Sequence, residues 1–463
     1  MRKTLIALLG VSTLIFSLPA FSAKSKKGKS RFEKLELFNK VLFLVESQYY
    51  RDVDTEKLIQ GAIRGMMNTL DPHSAFLDKE VFTKMQEDTK GEFGGLGIEV
   101  TQKDGVLVII TPIEDTPAFR AGLKAGDRIV EINHDSTVGI TLEEAVERMR
   151  GDLHQKIHIG VSREGSDGIK HFEIRREIIK IKSVKSSLID KKYAHIRLIQ
   201  FQKNSGEEVR KALKKFRKKT KNLAGVILDL RANPGGLLEE AVNVSSIFLK
   251  DGIVVSTEGR DPKHKEIRYV KKTGHKELKL PVVVLINGAS ASASEIVAGA
   301  LQDSKRAIIM GTQSFGKGSV QTVAKIDNVQ GVKLTIAQYM TPSGRKIQAV
   351  GIKPDIEVSD FEGKWVGENK VEGRYLREKD LRNHLTATIE TDDEKKIRLV
   401  TEKAERKARK ERLKALRKKR LSKKNNDAEK EDLFKKYNAD EDYQVMQAVN
   451  YLKGFKLFKS LVN

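Results

Sequence analysis

Three short runs constrain this chain more than anything else in it. Residues 224–230, 282–286 and 307–310 are almost wholly apolar, and stretches with helical spacing separate them. A strand that is apolar at every position is buried on both faces. Such strands belong to parallel sheets covered by helices. Helices are read at 236–249 and 294–302, after a strand at 193–199 and a basic helix at 206–220. Strands alternating with helices imply crossover connections, and so a mainly parallel central sheet over about 179–360.

The rest of the 463 residues leaves room for further domains, and a hydrophobic content of 39% excludes a wholly disordered chain. Residues 30–90 read as helical, with Leu35, Phe38, Val41, Leu42, Leu44 and Val45 mostly at three- and four-residue steps and Asp71-Pro72-His73-Ser74 as a turn. Residues 91–178 read as a compact β-rich unit with strands at 106–110, 128–133, 157–161 and 170–174 and an amphipathic helix at 141–150. Residues 361–442 form a charged, basic extension, read as a solvated arm. Residues 443–463 close with an amphipathic helix carrying Val445, Met446, Val449, Leu452 and Phe455.

The N-terminus indicates a compartment. Arg2 and Lys3 precede an apolar run at 5–18, then Pro19 and small residues up to Ala23. That order is a secretory signal peptide over 1–23, removed on export to the periplasm or cell envelope of a bacterium. An uncleaved anchor is the alternative, but the run is short and contains Gly10, Ser12, Thr13 and Ser17. Export sets the net charge of +24 against a nucleic-acid role. Residues 402–424 hold 13 Lys/Arg and 3 Asp/Glu, a local +10 that suits weak contact with an anionic membrane or cell-wall polymer. The chain has no cysteine, so disulfides, thiolate metal sites and thiol nucleophiles are excluded.

Three segments carry chemistry. Asn287-Gly288-Ala289-Ser290-Ala291-Ser292-Ala293-Ser294-Glu295 joins an apolar strand to a helix. A serine on such a turn exposes its hydroxyl, and the next amide, at the helix N-terminus, faces a developing oxyanion. A small-residue turn before a helix cap reads equally well. In Ser314-Phe315-Gly316-Lys317-Gly318-Ser319-Val320-Gln321 a lysine lies between glycines. Buried, it would lose its proton near neutral pH and serve a serine as base; on the surface it would be one lysine among many. Gln321, four residues on, falls on the same side as Lys317. Leu228-Asp229-Leu230-Arg231-Ala232-Asn233-Pro234-Gly235-Gly236 empties a strand into a glycine turn whose amides suit the other half of an oxyanion hole.

Together with Leu70 to Ser74, Gly91 to Ile98 and Ala121 to Asp127, these segments resemble the carboxyl-terminal processing peptidases, or tail-specific proteases. The resemblance covers about 30–350 in the family's order. It implies an α+β multidomain chain: an N-terminal helical segment, a PDZ domain, an α/β core of the crotonase-like or ClpP-like type, and here the basic C-terminal extension. It implies Ser292 as nucleophile, Lys317 as general base, Gln321 as the residue completing a Ser–Lys–Gln set, and Asp303 as an acidic position sometimes associated with the site. The oxyanion donors would be Ala293 and either Gly235 or Gly236. Gly95, Leu96, Gly97 and Ile98 would form the loop that holds a substrate's terminal carboxylate, the tail adding as a strand to a sheet edge. The implied activity is endoproteolysis near the C-termini of flexible protein tails, and no metal or cofactor is implied. An adaptor protein is a further partner open to such an enzyme, and the N-terminal helices either dimerise or pack on their own chain. The competing reading is an inactive PDZ scaffold in the cell envelope.

Overall fold

The computed structural model describes residues 30–103, 105–261, 263, 265–359, 375–388, 391, 393–404, 407, 411 and 438–462. The signal peptide read at 1–23 and most of the basic run at 402–424 lie outside the described residues. The described residues up to 63 form one compact unit and those from 64 onward another. The first is α1 (Arg31–Gln48) and most of α2 (Thr55–Asn68). Ser30 caps α1 by accepting the Glu33 amide at 3.3 Å. None of the α1 residues is buried, and Leu35, Phe38, Val41 and Leu44 are exposed.

The second unit opens with β1 (Ala75–Leu77) and α3 (Lys79–Lys90). A β-rich part follows: β2 (Glu92–Gly95), β3 (Ile98–Lys103), β4 (Val106–Pro112), α4 (Pro117–Ala121), β5 (Arg128–Ile132), β6 (Asp135–Ser136), α5 (Leu142–Met149), β7 (Lys156–Ser162), β8 (Ile169–Arg175) and β9 (Glu177–Lys180). Its sheet runs β3-β4-β5-β7-β8, so β3 is an edge strand. Leu107 and Ile109 of β4, Ile157 and Ile159 of β7, and Ile129 and Ile132 on either side of a register shift in β5 share one core with Ala145 and Met149 of α5. Antiparallel pairing of β2 with β9 ties the entry of this part to its exit.

The α/β part comprises β10 (Val184–Ile189), β11 (Tyr193–Leu198), α6 (Ser205–Lys219), β12 (Gly225–Asp229), α7 (Leu238–Phe248), β13 (Ile253–Gly259), β14 (Lys265–Tyr269), β15 (Val282–Ile286), α8 (Ala293–Asp303), β16 (Ile308–Gly311), β17 (Ser319–Lys325), β18 (Gly331–Met340), β19 (Ile356–Glu357) and α9 (Tyr443–Val462). The central sheet runs β10-β11-β12-β15-β16-β19, and only the β10–β11 pair is antiparallel. The all-apolar strands are its middle, as their composition requires. Val226 and Leu228 face α6, α7 and α8, while Ile227, Val283 and Leu285 face the other side. That second face is covered by Val445, Ala448, Val449 and Leu452 of α9. Phe455, read as part of the same stripe, is instead exposed. A second, antiparallel sheet joins β1, β13 and β17 to β18, with β14 beside β13.

One expectation fails over 375–388. This stretch of the charged extension is not a solvated arm: Glu378 is fully buried and His384 nearly so. Its polar side chains are paired inside the fold, which removes the desolvation cost that would otherwise keep them in water.

Candidate active site

β15 delivers the chain to the turn that starts α8. Ser292 sits there at φ 55° and ψ −113°, immediately before α8. A non-glycine residue in that region carries about 1–3 kcal/mol of strain, so the surroundings must hold it. The holder is Glu295, one turn into α8. Its carboxyl accepts the Ser292 amide at 2.8 Å, the Lys317 amide at 2.9 Å, the Gly316 amide at 2.7 Å and the Ser314 hydroxyl at 2.5 Å. One fully buried side chain thus grips the serine turn and the lysine loop together. Burial pushes the Glu295 carboxyl up to about 7, and the four donors oppose that rise. The sequence reading gave Glu295 no role. A glutamate three residues after a helix cap signals only a capping box, and its reach to 314–317 is not local.

Lys317 is half-buried, and no carboxyl group pairs with it among the described residues. Burial lowers its pKa, and neighbouring Lys333 lowers it further. Glu378, Glu295 and Asp71 pull the other way without reversing the shift. The side-chain nitrogen of Gln321 donates to Ser319 Oγ at 2.9 Å and to Thr335 Oγ1 at 3.4 Å. Thr335 donates in turn to Asp71 at 3.1 Å, so the turn at 71–74 braces the strand that follows Lys317. Asp303 is not brought to this cluster. It ends the 11-residue α8, about 16 Å from Ser292 by helical rise, and binds the Ser343 amide, the Ser343 hydroxyl and Arg345.

The glycine turn after β12 lies directly on the serine. A Cβ on Gly235 would be 2.7 Å from Ser292 Cβ and 3.0 Å from the Ala293 nitrogen, so only glycine fits. The Asn233 carbonyl locks the two loops together by accepting the Ala291 amide at 3.0 Å and the Ser294 hydroxyl at 3.0 Å. The Gly235 amide is committed to Asn233 Oδ1 at 2.9 Å. The Gly236 and Ala293 amides have no hydrogen-bond acceptor among the described residues.

The glycine loop before β3 forms a separate feature. The Gly97 carbonyl accepts the Ile113 amide at 2.8 Å and the Thr116 hydroxyl at 3.1 Å, and the Leu96 carbonyl accepts the Ala118 amide at 2.9 Å. Carbonyls are thus held on the α4 side, while the Leu96 and Gly97 amides carry no acceptor among the described residues. Gly95 is paired with Glu177 in the β2–β9 ladder. Ile98 and Val100 of edge strand β3, with Leu142 and Val146 of α5, are partly buried over the core of the β-rich part.

Residues 192–358 match the model of peptidase family S41, residues 84–162 that of the PDZ domain, and residues 16–81 that of the activating protease CtpB N-terminal domain. A carboxy-terminal-processing protease of Bartonella bacilliformis is 43% identical over 397 residues, which cover 84% of this chain and 90% of that protein. Carboxy-terminal processing protease CtpA of Bacillus subtilis is 36% identical over 337 residues, covering 72% and 71%. Among solved structures, the photosystem II D1 C-terminal processing protease is 28% identical and covers 70% of this chain and 92% of that one, with a TM-score of 0.42. The class these matches define is a serine-type peptidase carrying a PDZ domain. Within it, the chain belongs to the carboxy-terminal processing proteases of peptidase family S41. Among the described residues no helix is long and apolar enough to cross a membrane.

Proposed function

We propose that the protein is an exported endopeptidase of the periplasm or cell envelope that captures protein C-termini in its PDZ groove and cleaves near them with a Ser292–Lys317 dyad. The observation that carries this reading is the Glu295 bridge. A single buried carboxyl holds the backbone of a strained serine and the backbone of a half-buried lysine. Lys317, with its pKa lowered by burial, takes the Ser292 proton as the hydroxyl attacks the scissile carbonyl. The oxyanion is received by the Gly236 and Ala293 amides; Gly235 is set aside because its own amide is engaged with Asn233. Lys317 then protonates the leaving amine, the acyl-enzyme forms on Ser292, and water releases it. Gln321 keeps its nitrogen on Ser319 and Thr335, which leaves its oxygen as the atom to orient the Lys317 ammonium. Asp303 takes no part in the chemical step and instead fixes the 343–345 turn.

In the groove, the Leu96 and Gly97 amides receive the tail's carboxylate, and the tail adds to the free edge of β3 with apolar side chains against Ile98, Val100, Leu142 and Val146. Ser292→Ala is expected to abolish turnover of a peptide with a free C-terminus while the protein still binds that peptide. Turnover at the wild-type rate would exclude Ser292 as nucleophile. Retained binding without turnover in the wild type would favour the inactive scaffold.

A further inference from the structure

The loop carrying Lys317 is gripped from two sides. Glu295 holds the Gly316 and Lys317 amides from α8. The opposite grip comes from the segment 375–388, read from sequence as part of a solvated arm. The Gly318 amide donates to Gln348 Oε1 at 2.9 Å, and Gln348 Nε2 donates to Glu378 Oε1 at 2.9 Å and to the Leu385 carbonyl at 3.0 Å. Both Glu378 oxygens lie within 2.9 Å of His73 Nε2. The Glu378 amide donates to the Phe315 carbonyl at 3.1 Å. Contacts therefore fall on both sides of Lys317, at Phe315 and at Gly318. The approach is close, since a Cβ on Gly318 would lie 2.3 Å from the Gln348 backbone nitrogen. At the start of the same segment Tyr375 lies against Gly288 and accepts a hydrogen bond from Asn287 Nδ2 at 3.2 Å, on the turn that leads to Ser292.

Glu378 and Gln348 are both at 0% exposure. A buried carboxyl must be matched by donors, and apolar residues would fill the same space at lower cost. What the polar cluster supplies instead is geometry. Its hydrogen bonds fix the loop from the 71–74 turn, from β18 by way of Gln348 just beyond it, and from 375–388.

We infer that Glu378 is a positioning residue for Lys317: through Gln348 and His73 it sets the loop from which the lysine reaches Ser292. This rests on the reading of Lys317 as the base. Glu378→Ala is expected to lower kcat roughly ten- to a hundredfold, the loss that a shift of about 1 Å brings, with KM within about twofold of wild type. Glu378→Gln keeps an acceptor for Gln348 and a partner for His73, and is expected to recover most of kcat. Rates are taken per folded enzyme on a peptide with a free C-terminus, beside Ser292→Ala. Gln348→Leu, which cuts the same chain of bonds, carries the same expected loss. Wild-type kcat in a folded Glu378→Ala or Gln348→Leu protein overturns the inference. So does failure of both to fold, which makes the cluster purely structural, or a Gln variant no better than the Ala variant. If Ser292→Ala stays active, the reading of the site itself fails, and that result is separate from the others.

Discussion

At Lys317 burial and four charges compete over one proton. Burial favours the neutral amine most, and the positive charge of Lys333 adds to it; Glu378, Glu295 and Asp71 favour the ammonium. The net shift is downward, which is the direction a base for Ser292 needs. Lys333→Ala removes one of the two influences that expel the proton. The lysine then holds its proton to higher pH, so the acid limb of the kcat–pH profile is expected to move to higher pH while the alkaline plateau stays in place. A limb that stays put, or moves to lower pH, would remove Lys317 as the group titrating there. How much of this was legible follows from distance along the chain. The glycine-flanked lysine and the serine turn are local patterns. The carboxyls around the lysine come from α8, the 71–74 turn and 375–388, and no spacing rule brings those together. What distinguishes Gly235 from Gly236 was hidden for a related reason: it is the bond from the Gly235 amide to the Asn233 side chain, which no glycine pattern announces.

At the scale of elements, the central sheet was readable because its strands are apolar on both faces, and that pattern demands two covers. One cover, α6 to α8, is interleaved with the strands. The other, α9, arrives more than a hundred residues after β16 and could be read as amphipathic but not assigned a partner. β1 was missed altogether: three residues carry no period, and its pairing depends on β18. The first turn of α9 is pinned by Arg231, whose guanidinium donates to Asp442 at 2.9 Å, to Gln444 at 2.8 Å and to buried Asp229 at 2.7 Å. Burial alone would raise the Asp229 carboxyl, but the hydrogen bonds from Arg231 and His195 and their charges outweigh it and hold it well below the usual carboxylate range. Leu452 then seals the helix onto the sheet, with its methyl groups against Gly225. Leu452→Ala is expected to cost about 2–5 kcal/mol of unfolding free energy in urea, as a buried leucine does. Because the Arg231 anchor is untouched, kcat per folded enzyme is expected to stay at the wild-type value. A stability loss too small to measure would mean that α9 does not seal this face in solution.

At the scale of the whole molecule, charge and recognition part company. The densest cationic run, 402–424, lies beyond every segment with chemistry, so the net charge of +24 says little about what the enzyme cuts. Selection of substrate is better sought where backbone amides are left over. The Leu96 and Gly97 amides are turned away from their braced carbonyls, at the head of a sheet edge that no strand occupies among the described residues. A terminal carboxylate received there makes charge-assisted hydrogen bonds, which a neutral amide cannot replace. If capture by this groove feeds the site at Ser292, blocking the carboxylate should weaken binding without touching the chemistry. A peptide substrate with an amidated C-terminus is therefore expected to show a KM raised roughly tenfold or more, as the loss of about 1.5–3 kcal/mol of hydrogen bonding to a charged group implies, with kcat unchanged. The same substitution in a protein lacking residues 91–178 should make no difference to KM, provided that the remaining core still turns over the peptide. Equal KM for the free and amidated peptides in the full-length enzyme would show that the groove does not read chain ends.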